Sequence, residues 1–185
     1  MDELRAAVAN AFANADFSLF LPPALPIDRT TASYENRFVS PDSSLAVGDA
    51  SSRDGKNAFT LMMFPVRDLN LPYLVIARKG DVDLSMVTNG QWVQFESIDF
   101  DNRFAVRSDD LRGALMLIDQ GMMQWLLDCD HVNFQVWGGM VFAFVKRQPP
   151  SIAEPVELDL LFRFYDGFPP HVPEMVHSEF PSPRP

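Results

Sequence analysis

The chain of 185 residues carries 25 acidic and 15 basic side chains, a formal net charge of −10 at pH 7. Hydrophobic residues make up 47% and charged residues 22%, which excludes a wholly disordered chain and a collagen-like repeat. Duplex nucleic acid and anionic membranes both require clustered Lys and Arg. The longest basic runs here are the pairs Arg78-Lys79 and Lys146-Arg147, so neither is an expected partner.

A chain of this size buries enough surface for one hydrophobic core without staples. Cys129 is the only cysteine, so no intramolecular disulfide forms, and a reducing cytoplasm is the simplest compartment. The N-terminus opens on acids, with neither the basic region nor the apolar run of a signal peptide. The strongest apolar runs, 61–66 and 140–145, are six residues long against the roughly 20 a spanning helix needs. No membrane span is expected.

In chain order, Leu4, Val8, Phe12 and Ala15 fall at helical spacing and predict a helix over 2–15. Pro22, Pro23 and Pro26 follow as an extended connector. Weak strand signals lie at 34–39 and 45–47. The turn dipeptide Asp54-Gly55 leads into a strand over 57–66 that is apolar on both faces, and a second strand covers 73–77. Asn89-Gly90 predicts a tight turn. The alternation at 103–107 predicts a half-buried strand whose wet face carries Arg103 and Arg107.

Ser108 or Asp109 then caps a helix that Gly121 interrupts, and Met122 to Leu127 continue the helical pattern. Residues 131–137 alternate apolar and polar, Gly138-Gly139 suits a type I′ turn, and 140–145 returns as the partner strand. Pro155 opens a last helix that Gly167 ends. Nine of the fifteen prolines lie at or after Pro149, so the end of the chain reads as extended.

The fold class is therefore α+β, an antiparallel sheet built from hairpins with helices packed on one face. One domain spans 1–176, with a weak seam near 80–90, and 177–185 form a flexible Pro-rich tail.

No reactive constellation stands out. Cys129, Asp130 and His131 are adjacent in sequence and point apart, so a structural cysteine and a strand-edge histidine are favoured over a zinc site. A thiol beside an acid has its pKa raised rather than lowered, and no Gly-x-Ser-x-Gly elbow exists. Gly138-Gly139 joins two strands, unlike a phosphate-cradling loop. Hence no catalytic, cofactor or metal residue is assigned.

Asp99, Asp101, Asp109 and Asp110 cluster around Arg103 and Arg107. They read as a solvated rim and helix cap first, and as a glycosidase-like acid pair second. Met62, Met63, Met116, Met122, Met123 and Met140 fill a core, or line an adaptable apolar groove.

From Phe95-Glu96-Ser97-Ile98-Asp99-Phe100-Asp101-Asn102-Arg103-Phe104 through Asp110, the sequence resembles a block of an uncharacterised family of actinobacterial proteins. Met122-Met123-Gln124-Trp125-Leu126-Leu127, the following hairpin, Tyr165-Asp166-Gly167-Phe168 and Val172-Pro173 extend the likeness over about 92–176. The resemblance implies the α+β fold and no established activity. Many members of that family carry a membrane segment ahead of this block.

Function by binding is the leading expectation, with another protein as partner, met through an apolar surface or edge strand. Arg103, Arg107, Trp125 and Trp137 are the candidate partner-binding residues. The alternatives are a hydrolase using the clustered carboxylates, with His131, and a carrier of an apolar ligand.

Overall fold

The computed structural model describes residues 24–25, 27, 31–39, 46–65, 71–87, 89–129, 131–137 and 139–146. The helix expected over 2–15, the last helix from Pro155 and the Pro-rich tail lie outside the described residues. Gly138 does too.

The protein is mostly antiparallel sheet with few helices. The described residues hold eight strands: β1 (Ser33–Val39), β2 (Ala46–Ser51), β3 (Ala58–Pro65), β4 (Leu74–Arg78), β5 (Gln91–Val93), β6 (Phe104–Ser108), β7 (Asn133–Trp137) and β8 (Met140–Lys146). They form one sheet in the order β1-β2-β3-β8-β7-β4-β6-β5. The β7–β8 hairpin thus lies between β3 and β4 and joins an N-terminal meander to a second block of strands. Gly139, at φ 74, takes the left-handed turn position that an L side chain resists.

Three helices punctuate the second block: α1 (Ile98–Arg103), α2 (Leu111–Leu117) and α3 (Gln120–Asp128). Each begins on a side chain that accepts an otherwise unpaired backbone N–H. Ser97 accepts from Phe100, Asp110 from Gly113 and Asp119 from Met122. Asp110, not Ser108 or Asp109, is the cap of α2. The helical break falls at Ile118 and Asp119, and Gly121 is inside α3; Asp119 is what restarts the helix.

Strand pleating divides the core in two. Met62 belongs to one cluster with Leu74, Ile76, Val106, Phe134, Val136 and Val141. Its neighbours Leu61 and Met63 belong to the other, with Val75, Ala77, Phe142 and Phe144. Buried Phe100, Ala114, Leu117, Met122 and Leu126 of the three helices join the first cluster, where Phe100 stacks on Phe104 at 5.1 Å. The second is closed in part by Leu25, Ile27, Val82, Leu84 and Val87.

One expectation is corrected. Arg103 ends α1, so it does not share a strand face with Arg107, and the strand is one residue later than the alternation suggests. The polar residues of β7, Asn133 and Gln135, are fully buried, because β7 is a central strand covered on both faces. The buried methionines divide as well. Met62 and Met122 fill the first cluster, Met63 and Met140 the second.

Candidate functional site

Between β4 and β5 the chain leaves the sheet, turns at Gly80 and forms a short 3-10 turn over Leu84–Met86 before returning through Gly90. Asp83 caps that turn by accepting from the Ser85 N–H at 2.9 Å, and hydrogen bonds from the Ser85 side chain and then its N–H hold the carboxyl below the ordinary carboxylate range. The connection packs Val82, Leu84 and Val87 into the second cluster and leaves a cavity of about 630 Å³ walled by Val82, Leu84, Trp92, Phe104 and Ala105. Lys79, Asp83, Gln94 and Asp101 give it polar edges. The Lys79 ammonium donates to the Asp101 carbonyl.

Arg107 fixes the wall. Its guanidinium donates to the carbonyls of Leu84 at 3.2 Å, Val87, and Gly90 at 2.5 Å, and it lies 5.1 Å from the centre of the Trp92 ring. A planar, permanently charged fork suits this task, since it reaches several carbonyls at once and stacks on an aromatic face. Gly90 is required for the same approach. At φ 75, a Cβ there would stand 2.6 Å from the Ser108 carbonyl carbon.

Trp92 is the exposed part of the site. It lies on the three-residue edge strand with 54% of its surface open. Its neighbour Val93 points inward to the first cluster.

The expected binding residues do not form one patch. Arg103 is exposed and donates to the Leu127 carbonyl at 3.4 Å, linking α1 to the end of α3. Trp125 is half-buried against Phe134, ring to ring at 5.6 Å, in the first cluster. Trp137 packs on the second. Only Arg107 touches the cavity wall, and it does so as a strut. Trp92 is the residue that sequence reasoning passed over; the one signal for it was an aromatic beside the Asn89-Gly90 turn.

The four clustered aspartates take different places. Asp101 accepts from the Phe95 N–H at 3.2 Å and Asp110 caps α2, while Asp99 is exposed at the start of α1. Partial burial raises the pKa of Asp109, with Asp110 adding to it. Among the described residues no three His, Cys, Asp or Glu side chains gather as metal ligands. No described helix is long and apolar enough to cross a membrane.

No family model, curated protein or solved structure matches the chain.

Proposed function

We propose that the protein works by binding another protein, and that the cavity beside β5 receives a side chain of that partner. The observation that carries this reading is the exposed Trp92 at the mouth of a cavity with apolar walls. Aromatic anchors beside a preformed pocket concentrate binding energy, whereas a tryptophan with no partner gains nothing from water. The wall is already rigid: Arg107 holds three carbonyls of the connection in place, so little is lost to ordering on association. We read the helices as backing one face of the sheet, since their buried side chains all join the first cluster. The single Cys129 favours a reducing compartment. The resemblance of 92–176 to an uncharacterised actinobacterial family brings no activity with it, so the reading rests on geometry.

Affinity capture from the native cell tests this reading. The partner recovered by the wild type is lost with Trp92→Ala and kept with Ile98→Ala, a control residue that is more exposed, at 76%. Equal recovery by both variants contradicts the site.

A second reading has its own support. The cavity volume lies inside the roughly 300–1,000 Å³ range of small-molecule sites, so an apolar ligand is the competing occupant. Native mass spectrometry of the purified protein separates the two. A bound small molecule released by Trp92→Ala favours the carrier.

A further inference from the structure

The way β5 ends the sheet says how a partner docks. In the β4–β6 ladder the odd-numbered positions of β6 exchange backbone hydrogen bonds with β4. Its ends show this: the Lys79 N–H donates to the Arg103 carbonyl at 2.9 Å and the Asp109 N–H to the Tyr73 carbonyl at 3.3 Å, in register with Val75 opposite Arg107. The N–H and C=O of one strand residue point to the same side, so those of Arg107 face β4. Trp92, opposite Arg107 on the other flank, is therefore in a non-hydrogen-bonded pair. Its own N–H and C=O face away from the sheet. Among the described residues no strand lies beyond β5, and Gln91, Trp92 and Gln94 are all exposed.

From this geometry we infer that the partner is an extended segment that adds to β5 as an antiparallel strand, pairing with Trp92. This inference rests on the binding reading above and deepens it. A residue directly opposite Trp92 exchanges two hydrogen bonds with it and carries its side chain on the same face. That face also holds Val82 and Leu84 of the cavity wall, so this residue is apolar. The residues on either side of it face the other way and stay wet.

Charge sets their sign. The chain carries −10 overall. The segment that fits alternates apolar and basic residues.

An eight-residue peptide alternating Leu and Lys, blocked at both ends, is the probe, titrated into the full chain by fluorescence anisotropy. In the inferred pairing the Leu amides face β5. N-methylation of the Leu residues then weakens binding at least tenfold, and N-methylation of the Lys residues changes it less than twofold. Replacing Lys by Glu abolishes binding. Amide exchange followed by NMR supplies an independent readout: the Trp92 amide exchanges fast in the free protein and slows at least tenfold with peptide bound.

If both N-methylated peptides bind alike, or the Trp92 amide stays fast at saturation, strand addition is wrong. The cavity reading survives that result provided Trp92→Ala still releases the native partner. Absence of binding at millimolar peptide, or equal binding of the Glu peptide, also overturns the inference.

Discussion

In the first cluster aromatic rings meet one another: Phe95, Phe100 and Phe104 in a chain, and Trp125 against Phe134. Tyr73 packs in the second cluster with Leu61, Phe142 and Phe144, and Tyr73, Gln135 and Arg107 each keep a buried polar atom without a hydrogen-bond partner among the described residues. The first arrangement is what a stable interior needs. The second is costly, because a buried donor without an acceptor forgoes its hydration. Arg107 shows what is obtained in return: three carbonyls held in place and a wall for the cavity. Well-packed rings are concentrated in the first cluster, and the proposed recognition site lies at the edge of the second.

The largest expected effect lies in the first cluster. Phe134→Ala removes a fully buried ring and should lower unfolding free energy by about 3–5 kcal/mol, measured by urea denaturation. Binding by the molecules that remain folded should be unchanged. Gly90→Ala comes next, at about 2–4 kcal/mol, since a left-handed backbone and a contact with Ser108 are both violated. A smaller loss would mean that the turn can move away from β6.

Arg107→Lys sharpens the comparison. It keeps the charge but gives up the fork, so about 1–3 kcal/mol of stability should go. Binding at Trp92 should fall by more than Phe134→Ala causes. Parallel losses in the two variants would erase the distinction between the clusters.

The smallest effect is a pH signature. Asp109 has its pKa raised from 3.8 by partial burial, so the folded state holds that proton more tightly than the unfolded chain does. Its carboxylate therefore opposes folding once pH rises through the raised value, and the cost disappears below 3.8. Asp109→Asn should raise Tm by about 1–2 °C at pH 7 and by nothing at pH 3. A constant gain at both values would point to a different cause.

Much of the fold was legible because local signals agreed. The β7–β8 hairpin followed from alternation before a glycine pair and an apolar run after it, and β3 from an apolar run after Asp54-Gly55. Helix α1 was missed because its apolar residues, Ile98 and Phe100, sit in an aromatic stretch that reads as strand. Its Ser97 cap and first-turn acids were the available signal. Alternation in β7 marked its polar residues but not their burial, since a sequence does not state that a strand is central. The site was harder still. Arg107 looks like a surface charge until the connection between β4 and β5 folds over it, and Trp92 becomes a cavity wall only through that same tertiary contact.

Site-specific photo-cross-linking tests the central claim most directly. A photoreactive phenylalanine is placed in turn at Trp92, Ile98 and Leu111, all three exposed, and activated in the native cell. A single partner cross-linked from position 92, and not from 98 or 111, is the predicted result. The same partner captured from 98 or 111 with nothing from 92 would contradict the account.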